Sequence, residues 1–115
     1  MADQAARKDS FTWNGATVGV RELTIADDLR VTALARRAMG GELNQDDPEF
    51  VLVYGFAEFM IAADIKGDAP LPLVDEVSTD GEIADALDAW RNLPRKFGRK
   101  WLMASNAANA DDDPN

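Results

Sequence analysis

Residues 11–30, FTWNGATVGVRELTIADDLR, constrain the fold more than any other part of the chain. Asn14-Gly15 is a strong type I′ turn signal, because both central residues of that turn need positive φ. A two-residue loop pairs Trp13 with Ala16, Thr12 with Thr17 and Phe11 with Val18. Phe11, Trp13, Val18 and Val20 then share one face, with Thr12 and Thr17 opposed on the other. An isolated hairpin is only marginally stable, so this apolar face needs a cover. Thr24 is the expected N-cap of a first helix, and Asp27 and Asp28 in its first turn suit the positive helix end.

That helix is expected to run to about residue 39, where Gly40-Gly41 stops it. It carries two apolar stripes: Ile25, Leu29 and Ala33, and, roughly opposite, Val31, Leu34, Ala35 and Ala38. One stripe closes a small core; a second fits a sandwiched helix or a contact with another chain. Asp46-Asp47-Pro48-Glu49 reads as a second start, and helix 2 is expected over about 48–65, apolar around nearly its whole circumference. Gly55 in its middle fits a close helix approach or a kink. Thr79-Asp80-Gly81-Glu82 forms a capping box for helix 3, which presents Ile83, Leu87 and Trp90 on one face. Helix 4, about 94–105, carries Phe97 and Trp101 one turn apart, with Arg95, Lys96, Arg99 and Lys100 outside.

The expected fold class is mainly α: an N-terminal β-hairpin packed on a bundle of about four helices, with a disordered acidic C-terminal tail. Residues 1–9 are expected to be a flexible lead, 10–105 a single domain and 106–115 the tail. The 115 residues suffice for one modest core. The net charge of −9 opposes nucleic-acid phosphates and anionic membranes. With neither Cys nor His, disulfides, thiolates and the commonest general base and metal ligand are excluded. The opening residues lack the apolar core of a signal peptide, and the apolar run 50–65 is too short and too charged to span a bilayer. A reducing cytoplasm is the natural setting.

No catalytic motif appears. Ser10, Ser78 and Ser105 have no histidine to activate them, and P-loop, G-x-S-x-G and G-x-G-x-x-G patterns are missing. The acidic pairs Asp27/Asp28, Asp46/Asp47 and Asp75/Glu76 lie at or near helix starts, where capping explains both residue type and place better than metal binding or acid–base work. The run Arg95-Lys96-Phe97-Gly98-Arg99-Lys100-Trp101 reads as an amphipathic helix before it reads as a nucleic-acid patch, since the surrounding field is negative. Trp90, Phe97 and Trp101 fit either core anchors or a partner platform. The chain is therefore expected to be no enzyme and to hold no cofactor or metal.

Val20-Arg21-Glu22-Leu23-Thr24, preceded by the hairpin and followed by Asp27-Asp28, resembles the N-terminus of tail assembly chaperones of long-tailed bacteriophages and prophages. The resemblance covers about twenty residues closely. Size, acidity and the helical remainder are similar in general character. It implies a non-enzymatic viral protein of the host (bacterial) cytoplasm, not expected in the mature virion. Such a protein binds and solubilises the tape measure protein while tail tube subunits assemble, and many have a frameshifted longer form. The tape measure protein, the tail tube protein and a homo-oligomer are the implied partners. Val31, Leu34, Ala35, Phe97 and Trp101 are the expected partner-binding residues; charge substitution there separates a partner face, which loses binding, from a core, which unfolds. Two alternatives stand beside this reading. A small structural or head–tail connection protein would be present in purified virions. An acidic inhibitor protein would gather carboxylates on one exposed face.

Overall fold

A computed structural model describes residues 9–109. Strands β1 (Ser10–Trp13) and β2 (Ala16–Val20) form the expected hairpin, with Trp13 opposite Ala16 and Phe11 opposite Val18. Asn14 and Gly15 take the positive φ values, 48° and 86°, that the turn demands. Ala16, Val18 and Val20 are buried while Thr12 and Thr17 face outward.

Helix α1 (Ile25–Ala38) starts at a complete capping box: Thr24 accepts from the Asp27 N–H, and the Asp27 carboxylate accepts from the Thr24 N–H. Gly40 and Gly41 end it with φ of 87° and 110°, and the Gly41 N–H donates to the Arg36 carbonyl at 2.8 Å.

Helix α2 (Phe50–Ala62) is shorter at both ends than the expected 48–65. At its start, the Asp47 carboxylate accepts from the Glu49 N–H at 2.9 Å, so Asp46-Asp47-Pro48-Glu49 forms a turn leading into the helix. At its end, Ala63 turns extended and the chain continues as β3 (Ala63–Lys66). This strand, absent from the sequence reading, lies antiparallel to β2 with Ile65 opposite Val18, giving a three-stranded sheet of order β1-β2-β3. The free edge of β2 gives those four residues backbone partners that continued helix would not need, and Asp64 and Lys66 then point outward while Ile65 packs inward.

Helix α3 (Asp80–Arg91) has the expected capping box between Thr79 and Glu82. Helix α4 (Arg95–Ala108) runs past residue 105, which corrects the expected tail boundary. Asn109 fastens its end: the side chain donates to the Ser105 carbonyl at 2.9 Å and accepts from the Leu23 N–H at 2.8 Å. Residues 1–8 of the expected lead and 110–115 of the expected tail lie outside the described residues. Asp9 accepts at its carbonyl from the Val20 N–H and so belongs to the hairpin end.

The core has two compartments that share α2. Val53, Phe56 and Ala57 face α1 and α3, where Val31, Leu34, Ile83 and Leu87 meet them. Phe59 and Ala62 face the sheet and α4, joined by Val18, Val20, Phe97 and Trp101. The helices therefore divide: α1, α2 and α3 pack together, while α4 lies on β1 and β2. The hairpin is covered as its apolar face requires, with Phe11 and Trp13 each edge-on to Phe97, ring centres 5.5 and 5.1 Å away.

Candidate partner-binding surface

The Arg21–Thr24 step that carries the family resemblance builds a joint. Arg21 grips Asp27 with both terminal guanidinium nitrogens, at 2.7 and 3.1 Å, and donates to the Ile61 carbonyl at 3.0 Å. Strand β2, the start of α1 and the end of α2 are thereby tied at one point. Asp27 is the buried carboxylate of the described residues, and Arg21, together with the Thr24 N–H, holds its carboxyl well below the usual carboxylate range. Arg30 adds a contact to Asp27 and pairs with Glu76 in the loop before α3. Arg37 continues the line to Asp80 and to the carbonyls of Glu76 and Ser78.

The structure places Val31, Leu34, Ala35, Phe97 and Trp101 in the interior, none more than 4% exposed. Val31, Leu34 and Ala35 lie between α1, α2 and α3, and Phe97 and Trp101 lie under the sheet. Their surface is used by the protein's own core, so the partner-facing expectation does not carry over to them. The stripe of α1 left outside is the other one: Ile25 is 88% and Leu29 73% exposed. The Trp90–Phe97–Trp101 set is core at its centre, since Phe59 sits between the rings, 5.2 Å from Trp90, 5.8 Å from Phe97 and 4.8 Å from Trp101.

Beside that aromatic cluster the surface opens. Helix α4 rests on the sheet, and α2 meets it through Phe59 against Phe97 and Trp101. A groove of about 340 Å³ remains between the two helices. Val51, Gly55 and Glu58 form its α2 wall, at positions that recur along one helix face. Gly98, Leu102 and Ser105 form its α4 wall, with Trp90 and Trp101 beneath. A second hollow of about 180 Å³ shares Trp90 and Gly98 with the first and runs on to Arg91 and Arg95. Val51 and Leu102 are exposed on its rims.

Glu58 is the charged group inside this groove. It is half-buried, and desolvation, reinforced by the charge of nearby Asp28, pushes its carboxyl above the ordinary value. No cation of the described residues pairs with it. Among the described residues no three carboxylates gather as a metal site would require, and no helix is long and apolar enough to cross a membrane.

Sequence reasoning missed the groove because α2 reads as apolar all round. The signal was present in the stripe Val51–Gly55–Glu58, where a glycine and a carboxylate interrupt the apolar circumference, and in Gly98 one turn before Leu102. Comparison with protein-family models, with curated proteins and with solved structures finds no match to this chain.

Proposed function

We propose that this chain is a non-enzymatic assembly chaperone that holds an aggregation-prone protein partner in solution. The partner we assign is the phage tape measure protein, kept soluble in the bacterial cytoplasm while tail tube subunits gather, with the chaperone leaving before the virion is complete. The observation that carries this reading is large apolar side chains held outside an acidic body. Ile25, Leu29, Val51, Leu102 and Met103 are all more than half exposed on a chain of net charge −9. A holdase needs this pairing: apolar surface to engage a partner, and charge to keep the complex dispersed. The resemblance at Arg21–Thr24 supplies the class of partner, although Arg21 and Thr24 themselves serve the fold.

Co-expression with a phage tape measure protein tests the reading. The expected result is a soluble complex that co-purifies, and a tape measure that precipitates when expressed alone. A tape measure equally insoluble with and without this chain would reject the proposal, as would recovery of the chain as a component of purified virions.

A further inference from the structure

The groove between α2 and α4 is polarised along its length. Glu58 stands in the groove itself, with the charge of Asp28 acting on it, and Arg91 and Arg95 line the hollow that adjoins it past Gly98. Arg91 is committed to Glu49, but Arg95 has no acidic partner among the described residues. Between the ends the lining is apolar and aromatic. Along α4 the stretch from Arg95 to Ser105 spans ~15 Å, room for about three helical turns.

An α-helix laid in this groove would meet a field matched to its own. Its N-terminus carries partial positive charge and its C-terminus partial negative charge. The favourable direction puts the N-terminus at Glu58 and the C-terminus toward Arg95. A lysine or arginine in the first turn would give Glu58 the counter-ion it lacks. Apolar residues one, two and three turns further along the same face would cover Trp90, Trp101 and Leu102, the helix-in-groove mode of recognition.

Two glycines point the same way. Gly55 and Gly98 lie on the two walls of the groove, each within a helix, where glycine is less favourable than alanine. The fold requires neither. A Cβ on Gly98 would meet nothing within 4 Å, and one on Gly55 would make an ordinary 3.8 Å contact with the Trp90 ring. What side chains there would do is fill the groove.

We infer that the α2/α4 groove is a docking site for a cationic amphipathic helix of another protein, bound with its N-terminus at Glu58 and a first-turn lysine or arginine paired to that carboxylate. A second copy of this chain is the poorer occupant, because each copy carries a net charge of −9 and the exposed stripe of α1 begins beside Asp28. The inference rests on the protein-binding reading above and specifies the chemistry of the partner.

The test uses the full chain and a capped alanine/glutamine helix about four turns long. The probe carries a lysine in its first turn and leucines one, two and three turns further along the same face. Binding is followed by fluorescence anisotropy of the labelled probe. The inference expects saturable binding that weakens about 5- to 10-fold when the lysine is moved to the last turn or replaced by glutamate. Glu58→Gln should lose a similar factor, and Gly98→Leu should abolish binding while its circular dichroism stays native and its melting temperature does not fall. No binding, binding indifferent to the lysine's place, or binding unchanged in Gly98→Leu each overturns it. So does a homodimer in sedimentation that Gly98→Leu converts to monomer, which would make a second copy the occupant. Failure here beside successful co-purification with the tape measure would remove the groove and leave the chaperone reading. Success here with no tape measure complex would do the reverse.

Discussion

Asp27 and Glu58 are two carboxylates that the fold treats in opposite ways. Arg21, Arg30 and the Thr24 N–H all favour the charged form of Asp27, and its carboxyl is depressed. A depressed carboxyl stabilises the fold fully above its unfolded value, near 4, and loses that contribution as pH falls through this value toward the folded one. Asp27→Asn should therefore melt well below wild type at neutral pH, with the gap narrowing below about pH 4. Glu58 has the reverse sign. Its raised carboxyl opposes the folded state when charged, and that cost disappears as acid protonates it. Glu58→Gln should melt above wild type at neutral pH and lose the advantage in acid; an unchanged or lowered melting temperature at neutral pH would mean that the carboxylate is compensated by something else. Parallel thermal melts across pH check both. The contrast was half legible in the sequence. Thr24 followed by Asp27 spells a capping box, but the distant arginine grip and the desolvation of Glu58 depend on which helix faces meet.

The elements best read from sequence are those written in local chemistry. Asn14-Gly15, the Thr24 and Thr79 capping boxes and the Gly40-Gly41 stop each act within a few residues, and each stands where expected. Strand β3 was illegible because Ala63-Asp64-Ile65-Lys66 continues an apolar helical run, and its extended form depends on the distant edge of β2. The end of α4 is hidden because Asn106 and Asn109 introduce an acidic, polar stretch, yet Ala107 and Ala108 carry the helix on to Ala108, and its cap Asn109 is shared with Leu23. Gly55 and Gly98 give a prediction at this scale. If their absent side chains serve binding and not folding, Gly55→Ala and Gly98→Ala should each stabilise by up to about 1 kcal/mol. For a domain of this size that is a rise of several degrees in melting temperature. A fall in either variant would show that the glycine is needed by the helix packing. Thr79→Ala gives the companion check on capping, with an expected loss of about 1 kcal/mol.

Across the whole molecule, the charge and the apolar surface are arranged so that the structural joints and the open groove lie on different residues. Arg21, Arg30 and Arg37 bind α1 to its neighbours through ion pairs and carbonyls, away from the α2/α4 opening. Among the described residues, Asp27, Glu76, Asp80 and Glu82 serve caps and ion pairs, whereas an acidic inhibitor would gather its carboxylates on one exposed face. The five residues expected at a partner face turned out to be interior for a definite reason. Helical periodicity identifies two stripes on α1 but carries no sign telling which one meets α2; the stripe of Val31, Leu34 and Ala35 packs there and the Ile25/Leu29 stripe is left outside. The most direct measurement of the account is site-specific photo-crosslinking in cells that make this chain together with the tape measure protein. A photoreactive residue at Val51 or Leu102, both exposed on the groove rims, should crosslink to the tape measure, while one at Asp85 on the outer side of α3 should not. Crosslinks from Asp85 with none from Val51 and Leu102 would contradict it.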